Sequence, residues 1–313
     1  PKSLHIRKKN GTYWVSFCYD DGFDGSQLST LKEDLDYLRG CTKEYLEQHT
    51  VGIDRGVARP VQCGDQVYDF TPEEKRSKHG KERYLKRCQR RLARQQKTSN
   101  RRKRTKYHIA RAHAKIANVR ENFCHQTSRA IVDAPATKII VFEDLATKNM
   151  TKRPNAKPGA DGKWEANGAR AKAGLNKAIL DKGWHKLEAF TKYKAQRLGK
   201  AVFKVSAHHT SQECAVCSHT HPDNRPQQDL FCCQDCGHSD NADHNAALVI
   251  KKRAINLILH SGTELSKRGV LLSGQGRGAS IRRERPKAAS AEVTKRQKRK
   301  GPPHGSALET SPL

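Results

Sequence analysis

Residues 50–70, TVGIDRGVARPVQCGDQVYDF, decide the fold of this chain. The segment opens with a run of high β propensity, which the glycines and the proline that follow then interrupt. This pattern predicts a central strand that leads into a β-hairpin. Asp54 is expected in the middle of that strand, and it is the first of three acidic residues that carry the functional interpretation.

Two further apolar runs extend the predicted sheet. The run KIIVF at 138–142 is short and β-branched, as expected of a buried strand, and it is followed by Glu143 and Asp144. Carboxylates at the end of a buried strand are costly to desolvate, so their presence indicates a use. A third strand is predicted at 201–206. Strands separated by helical segments predict an α/β fold.

Helical patterns fill the segments between and after these strands. From 71 to 134 the pattern predicts a basic helical hairpin, in which Thr71 can cap the first helix and Pro72 fits its first turn. Its first part, 75–106, carries Lys and Arg on every face. Its second part has one apolar stripe, formed by Ile109, Ala112, Ile116, Val119 and Phe123. The later segments are predicted to be a loop at 148–173, a helix at 174–198 and a helix at 245–259.

The two ends of the chain differ from this central part. Residues 4–18 alternate apolar and polar side chains around Asn10-Gly11, which predicts a β-hairpin with a tight turn. A polar, acidic stretch follows to about residue 47. The chain begins with Pro1 and not with Met, so we expect a fragment of a longer reading frame. Beyond about residue 266, Gly, Ser, Arg, Lys and Pro predominate, which predicts a disordered basic tail.

The composition favours a polyanionic partner. The 313 residues carry a formal net charge of +29, with a pI near 9.9, far beyond what solubility requires. Nucleic acid is the first candidate, and a surface merely solvated by Lys and Arg is the alternative. No apolar run approaches the roughly 20 residues that span a bilayer, and no secretory signal is visible. We therefore expect no membrane partner and a cytoplasmic, nucleoid-associated location in a bacterium or archaeon.

Four of the ten cysteines form two C-x-x-C pairs. Fifteen residues separate the pair Cys214 and Cys217 from the pair Cys233 and Cys236, which is the spacing of a structural zinc ribbon. Four thiolates would close a tetrahedral Zn²⁺ site without a position for a reactive water, so this metal would stabilise the fold. Free or oxidised thiols are the alternative. Neighbours that could replace a ligand are Cys232, His219, His221 and His238, and the spacing to Cys236 favours Cys233.

Asp54, Glu143 and Asp243 form a second candidate site. Each alone is weak evidence, because acidic residues are often merely solvated and Asp243 could simply cap the helix that begins near Asn245. Together they match a requirement of two-metal phosphodiester hydrolysis, in which several carboxylates converge to hold Mg²⁺ or Mn²⁺ through oxygen. The three acids are therefore predicted to bind a catalytic divalent cation.

The motifs around these residues resemble those of the TnpB proteins of insertion sequences. These proteins are also called OrfB-type transposases, and they are related to type V CRISPR effector nucleases. The motifs that resemble the three RuvC motifs are GIDRG at 52–56, VFEDL at 141–145 and DHNAA at 243–247. Those that resemble the zinc ribbon of the family are TSQECAVC at 210–217 and FCCQDCG at 231–237. The resemblance covers roughly residues 4–260, including GLN at 174–176, but not the tail.

The resemblance implies an RNase H-like (RuvC) core with Asp54, Glu143 and Asp243 as its catalytic acids. It also implies an RNA-guided DNA endonuclease, in which a guide RNA reads the target DNA by base pairing and the protein reads a short flanking motif. Family members have a longer N-terminal recognition and wedge region than this chain. The implied division is a partial wedge-like β segment at 1–47, the nuclease core at 48–206 with the hairpin 71–134 inserted, the zinc ribbon at 207–240, the last RuvC-like motif and its helix at 241–262, and the disordered basic tail at 263–313.

Two other functions fit the same residues. One is a non-catalytic or truncated nucleic-acid-binding regulator of a transposon, which would keep the basic helices and lack cleavage. The other is a transposase that uses the same acids for strand transfer. Metal-dependent cleavage that is lost in Asp54→Ala would distinguish catalysis from binding, and joining of the products to a second DNA would distinguish transfer from hydrolysis.

Overall fold

The computed structural model describes residues 2–9, 11–25, 28–159 and 162–273, and the predicted tail from 274 onward lies outside this described part. The strands are β1 (Ser3–Lys9), β2 (Thr12–Cys18), β3 (Thr50–Asp54), β4 (Val61–Cys63), β5 (Gln66–Tyr68), β6 (Ile139–Glu143), β7 (Lys157–Pro158), β8 (Trp164–Glu165), β9 (Ala201–Val205), β10 (Leu230–Cys232), β11 (Ser239–Asn241), β12 (Glu264–Leu265) and β13 (Leu271–Leu272). The helices are α1 (Leu31–Arg39), α2 (Lys43–His49), α3 (Pro72–Arg94), α4 (Asn100–Asp133), α5 (Thr147–Met150), α6 (Ala169–Asp181), α7 (Trp184–Arg197) and α8 (Ala242–Leu259), with a 3₁₀ turn at Pro222–Asn224.

A five-stranded mixed sheet with the order β5-β4-β3-β6-β9 lies at the centre of the fold. The strands β3, β6 and β9 are parallel, whereas β3, β4 and β5 follow one another in antiparallel pairs. Parallel strands are usually covered on both faces, and β6 and β9 are buried at every position. The predicted α/β class, with strands at all three predicted places, is confirmed.

Helices cover both faces of this sheet. Successive side chains of a strand point to opposite faces, so each strand contributes to two cores. On one face, Val141 and Phe203 pack with buried leucines and isoleucines of α1, α2 and α8. On the other face, Ile53, Ile140 and Phe142 pack against α4 and α7. Glu143, the last residue of β6, lies two residues after Val141. Its side chain therefore points to the same face of the sheet, which is the face that α8 covers.

The predicted helical hairpin at 71–134 is present as α3 and α4. The side chain of Thr71 accepts a hydrogen bond from the main-chain N–H of Glu74, whose carboxylate accepts one from the N–H of Thr71 in return. This capping box satisfies two main-chain donors that the first turn would leave unpaired. In the predicted apolar stripe of α4, Ala112, Ile116 and Phe123 are buried, so the stripe does pack inward.

The stretch that was expected to be merely polar up to residue 47 contains two helices. In α1, Leu35 and Leu38 are buried against the sheet, and in α2 Leu46 is fully buried. Thr30 caps α1 with a capping box to Glu33. The spacing of Thr30 and Glu33 in the sequence is that of a capping box. The few apolar residues nevertheless give only a weak helical period, because packing on the sheet and not local pattern stabilises these helices.

The segment 174–198 forms parts of two helices and not the one predicted. Gly183 separates α6 from α7 in a left-handed conformation, with φ +71°, which a residue with a side chain rarely adopts. A methyl group on this glycine would lie 2.9 Å from the sulfur of Cys124 on α4. The first of the two helices begins at Ala169, inside the predicted loop at 148–173.

The predicted disordered tail begins too early. Residues 263–273 are ordered against the core, where β12 and β13 form a short hairpin and Val270 and Leu271 are buried. The main-chain N–H of Lys204 in β9 donates to the carbonyl oxygen of Gly269 at 2.8 Å. This segment therefore continues the edge of the central sheet, which the local Gly, Ser and Lys composition did not indicate.

The predicted N-terminal hairpin is confirmed as the antiparallel pair of β1 and β2. Its strands are fully paired from Ser3 with Cys18 to Lys9 with Thr12, and Gly11 in the turn has φ +77°. None of the helices in the described part of the chain combines the length and the apolar character that a membrane crossing requires.

Candidate active site and metal centre

Asp54 and Glu143 are the last residues of two neighbouring parallel strands. Ile53 pairs with Phe142 in the register of β3 and β6, so the residues that follow them lie side by side at the carboxyl edge of the sheet. The prediction had put Asp54 in the middle of its strand, and this is wrong because β3 ends at Asp54. The edge position is the usual place for a site in a parallel sheet, since side chains there can leave the core.

The third acid reaches this edge because α8 crosses β3 at close range. A methyl group on Gly52 would overlap the carbonyl oxygen of Ala247, so only glycine permits the crossing. Asp243 lies one helical turn before Ala247 on the same side of α8. Asp54 lies two residues after Gly52 on the same face of β3. The crossing therefore brings Asp243 close enough to Asp54 for its charge to act on that carboxyl.

Burial raises the pKa of all three carboxyl groups, and the charges of the other two acids also act on Asp54. Burial, with the charges of Glu143 and Asp243 adding to it, raises the pKa of Asp54 to about 8. Burial also raises the pKa of Glu143, against the opposing hydrogen bond from Thr210, and it raises the pKa of Asp243 against the opposing charge of Arg225. Buried carboxyl groups with raised pKa values are a common feature of functional sites, because their charged form is costly unless a cation or a hydrogen-bond donor stabilises it.

Asp243 does not cap α8. The helix begins at Ala242, and the side-chain oxygen of Asn241 accepts hydrogen bonds from the N–H groups of Asp243 and His244, at 3.1 and 3.4 Å. Asn241 is thus the cap, and the alternative in which Asp243 serves only that purpose is wrong. Its carboxylate is left for another role.

Two residues that the sequence analysis did not single out contact the acids from the cysteine-containing segment. The hydroxyl of Thr210 donates a hydrogen bond to Oε1 of Glu143. The guanidinium of Arg225 lies 3.6 Å from Oδ1 of Asp243. Both contacts join residues far apart in sequence, so no local pattern could have predicted them.

Arg55, directly after Asp54, ties the two acid-bearing strands together. Its buried guanidinium donates to the main-chain oxygen of Glu143 at 2.5 Å and to the carboxylate of Glu188 on α7 at 3.2 Å. Lys204 of β9 also reaches Glu188, at 2.7 Å. Burial alone would raise the pKa of Glu188, but the neighbouring cations, led by Lys204, lower it to about 2. In the sequence, the signal for this role was an arginine directly after the acid in the motif GIDRG, whereas its burial is known only from the structure.

The structure brings the four predicted cysteine thiols together. Their sulfur atoms all lie within 4.8 Å of one another, with 3.7 Å between Cys214 and Cys236 and 3.5 Å between Cys217 and Cys233. A tetrahedral Zn²⁺ ion with Zn–S bonds of about 2.3 Å requires sulfur separations of about 3.8 Å. The donor set and its spacing therefore fit zinc. Cys232 is not part of this group. It lies in β10, where it pairs with Ser239 of β11.

Both cysteine pairs lie in the same kind of turn. The N–H of the first cysteine in each pair donates to the carbonyl oxygen five residues later, at 2.9 Å for Cys214 and 2.8 Å for Cys233. The residue after the second cysteine is left-handed in both turns, with φ +66° at Ser218 and +71° at Gly237. The repeated geometry is that of the two turns of a zinc ribbon, in which each turn presents two thiolates to one ion.

The first cysteine turn is fastened to α8, the helix that carries Asp243. The side chain of Asn245 accepts from the N–H of Ala215 at 3.0 Å and donates to the carbonyl of Glu213 at 2.8 Å. Arg253 binds the carboxylate of Glu213 with two nitrogens, at 2.8 and 2.5 Å. Lys252 donates to the carbonyl of Ala215 at 2.9 Å. The cysteine-containing segment is therefore held against α8, the same helix that carries Asp243.

A basic stripe runs along α3. Its four exposed cations follow the helical spacing of three, one and three residues and line one shallow groove: Arg83, Lys86, Arg87 and Arg90. Such a row of cations on one helix face is suited to the phosphates of a nucleic-acid backbone, which it would bind without sequence specificity.

Two family models match the chain. The OrfB_IS605 model, described as "Probable transposase", matches residues 28–154, which include Asp54 and Glu143. The model described as "Cas12f1-like, TNB domain" matches residues 184–250, which include the four cysteines and Asp243. The two matches together contain every predicted site residue.

Named relatives and a solved structure are also similar to the chain. It is 39% identical over 197 residues to "Putative RNA-guided DNA endonuclease InsQ" of Escherichia coli (strain K12), covering 63% of this chain and 47% of that protein. It is 30% identical over 145 residues to "CRISPR-associated endodeoxyribonuclease Cas12f1" of Sulfoacidibacillus thermotolerans, covering 46% of this chain and 30% of that protein. The chain thus spans less than half the length of these relatives. A cryo-EM structure of a Cas12f1–sgRNA–target DNA complex covers 80% of this chain and 56% of that chain, with 15% identity and a TM-score of 0.43.

Proposed function

We propose that the chain is a member of the TnpB-like family and that it is a transposon-encoded, RNA-guided DNA endonuclease. The observation that carries the proposal is the position of Asp54 and Glu143 at the ends of two neighbouring parallel strands, together with the close crossing of α8, which brings Asp243 near Asp54. The sheet itself, three antiparallel strands continued by two parallel ones, supports an RNase H-like (RuvC) core.

The three acids would hold Mg²⁺ or Mn²⁺ through their carboxylate oxygens, which are the ligands that these cations prefer. When bound, the cation would stabilise the charge on the attacking and leaving oxygens during hydrolysis of a DNA phosphodiester. The contribution of the chain is orientation. The parallel register of β3 and β6 fixes Asp54 beside Glu143, the close crossing of α8 fixes Asp243, and Arg55 locks β3 to the main chain of Glu143.

The four cysteines would hold a structural Zn²⁺ ion. Four thiolates complete its tetrahedron, so this site has no chemical role and instead stabilises the ribbon. The contacts of Asn245 and Arg253 then dock the folded ribbon on α8. Loss of the ion is expected to unfold this segment locally and to leave the central sheet in place.

The partners in this proposal are a guide RNA and its target DNA. The formal net charge of +29 and the stripe on α3 support a polyanionic partner, and the names of the relatives specify RNA guidance and DNA cleavage for those proteins. A protein with these partners would act in the cytoplasm, next to the nucleoid. Phosphate contacts would supply affinity, and base pairing would supply specificity.

The test is cleavage of single- and double-stranded DNA by the chain purified with its bound RNA, in the presence of Mg²⁺. Asp54→Ala and Glu143→Ala are expected to bind DNA and to lose cleavage by a factor of about 10³ or more. The matched control is Asp133→Ala, an exposed acid at the end of α4, next to the opposite edge of the sheet. Binding without cleavage by the native chain would support the regulator, and products joined to a second DNA would support strand transfer.

A further inference from the structure

The carboxylate of Glu143 accepts one hydrogen bond among the described residues, and its donor comes from the cysteine-containing segment. The hydroxyl of Thr210 donates to Oε1, and both side chains are buried, with exposed fractions of 4% for Thr210 and 6% for Glu143. A buried carboxylate with a single fixed oxygen is restricted in its rotation, because turning it would break that bond in a region that water does not reach. Thr210 thus determines which way the carboxylate faces.

The chain turn after β9 places Thr210 over Glu143. Val205, the last residue of β9, pairs with Glu143, and its carbonyl accepts from the N–H of Asp144 at 2.8 Å. His209 then adopts a left-handed conformation with φ +57°, which folds the next residue back toward the strand end. Backbone strain at a non-glycine residue persists only where the surroundings hold it. Within the turn, the carbonyl oxygen of His209 accepts from the N–H groups of Gln212 and Glu213, at 2.9 and 3.0 Å, and these two residues are themselves held by contacts from the ribbon and from α8.

These contacts hold the segment directly after Thr210. Asn224, in the 3₁₀ turn of the ribbon, is fully buried and donates to the carbonyl of Gln212 at 2.8 Å. Its side-chain oxygen accepts from the N–H of Gln234 in the second cysteine turn, at 2.9 Å. Asn245 and Arg253 hold the following residue, Glu213, from α8. The position of Thr210 therefore depends on both cysteine turns being folded.

We propose that Thr210 is a positioning residue through which the folded four-cysteine ribbon holds the carboxylate of Glu143 in place for cation binding. The inference rests on the proposed function, in which the three acids bind a divalent cation. It adds a link between the two metal sites: the structural site supports the acid site through one hydroxyl and does not merely stabilise its own segment. Residues that orient a ligand of a metal typically change metal affinity about 10- to 100-fold when they are altered.

The experiment compares Thr210→Val, which keeps the shape and removes the hydroxyl, with Thr210→Ser, which keeps the hydroxyl. Mn²⁺ binding to the full chain is measured by calorimetry and electron paramagnetic resonance, and the component that is lost in Asp54→Ala defines the acid site. Thr210→Val is expected to weaken this component by about 10- to 100-fold, and Thr210→Ser by less than about 3-fold. The matched control is Thr220→Val, at an exposed threonine of the ribbon whose hydroxyl donates to the main-chain oxygen of Ser218. It is expected to leave Mn²⁺ binding unchanged.

The link to the ribbon is tested by Cys236→Ser, alone and combined with Thr210→Val. If the ribbon acts through Thr210, Cys236→Ser weakens Mn²⁺ binding and the second substitution adds little to that loss, whereas independent effects would multiply. Unchanged Mn²⁺ affinity in Thr210→Val, or independent effects in the double variant, overturns the inference. Absence of any Asp54-dependent Mn²⁺ binding in the native chain would instead overturn the proposed function. Circular dichroism of each variant shows whether the central fold is retained.

Discussion

At the scale of single residues, the positions of the three acids depend on contacts made by residues that are not themselves candidate cation ligands. Gly52 allows α8 to approach β3, and a methyl group there would also lie 2.8 Å from the main-chain nitrogen of Lys251. Arg55 and Lys204 share the carboxylate of Glu188 behind the acid-bearing strands. These contacts set the positions from which Asp54 and its partners act.

Gly52→Ala is expected to lower the free energy of unfolding by about 3 kcal/mol, because the added methyl group meets helix backbone that cannot move aside. It should also reduce cleavage, since α8 must shift and Asp243 shifts with it. Urea denaturation measures the first effect. Gly174→Ala, at an exposed position of α6 with open space around it, is the control and should stabilise the chain by about 0.5–1 kcal/mol. Equal stability of Gly52→Ala and the native chain would contradict the close crossing.

Glu188→Gln is expected to destabilise the chain at pH 7 by about 3 kcal/mol, because it leaves Arg55 and Lys204 buried without their shared counter-charge. The native pKa of Glu188 is lowered to about 2, so its stabilising contribution is complete above its ordinary pKa near 4.5. It is lost as the pH falls from about 4.5 towards 2. The stability difference between the two proteins should shrink over that range. Thermal denaturation at a series of pH values measures this.

The control for Glu188→Gln is Glu47→Gln, which removes an exposed ion pair with Lys43 and should change stability by less than about 1 kcal/mol. A difference for Glu188→Gln that stays constant down to pH 2 would indicate a loss of packing and not of charge.

At the scale of elements, the ribbon consists of two equivalent cysteine turns with unequal local sequences. Gly237 adopts its left-handed conformation without a steric penalty, whereas Ser218 carries a side chain in the same conformation. A left-handed residue with a side chain costs roughly 1–2 kcal/mol. The first turn is therefore the more strained of the two, although it is also the one that Asn245 and Lys252 fasten to α8.

Ser218→Gly is expected to stabilise the ribbon by about 1 kcal/mol and Gly237→Ala to destabilise it by a similar amount. Competition for Zn²⁺ with a chromophoric chelator is the appropriate measurement, because folding of the ribbon and metal binding are coupled. The expected order of Zn²⁺ affinity is Ser218→Gly, then the native chain, then Gly237→Ala. The reverse order would mean that the two turns do not share the left-handed position.

At the scale of the whole molecule, part of the excess of positive charge forms a row on one exposed helix face. The stripe on α3 places four cations on one exposed helix face, whereas cations such as Arg225 and Arg253 pair with the carboxylates of Asp243 and Glu213. A charge excess of this kind attracts nucleic acid over a distance of about one Debye length. Binding should therefore depend strongly on salt concentration.

The double variant Arg87→Ala/Arg90→Ala is expected to lower the slope of log affinity against log salt concentration by about 2 for double-stranded DNA, since each phosphate contact contributes about 0.9. Fluorescence anisotropy with labelled DNA at several salt concentrations measures the slope. The control variant Lys32→Ala/Lys43→Ala removes the same charge from exposed positions of α1 and α2 and should leave the slope nearly unchanged. Equal slopes for both double variants would show that only net charge matters.

Local patterns in the sequence determined the strands, the helical hairpin and the set of candidate ligands. The β-rich run that begins at residue 50 and the apolar run at 138–142 predicted two central strands, Thr71-Pro72 predicted the start of α3, and the cysteine spacing identified the four thiols that meet. These features depend on residues a few positions apart, where backbone geometry alone relates one side chain to the next. The three acids could be chosen as candidates before their positions were known, because divalent cations prefer oxygen ligands and because the motifs around the acids resemble the RuvC motifs of a known family.

Only the tertiary structure decided which residues meet across long distances in the chain. It placed α1 and α2 on the sheet, added residues 263–273 to the core, and brought the hydroxyl of Thr210 to Glu143. Each of these depends on the burial of one element against another, and neither periodicity nor motif spacing encodes the partner surface. The physical reason is clearest at Gly52: the sequence shows a glycine in a strand, and only the packing of α8 shows why no side chain fits there.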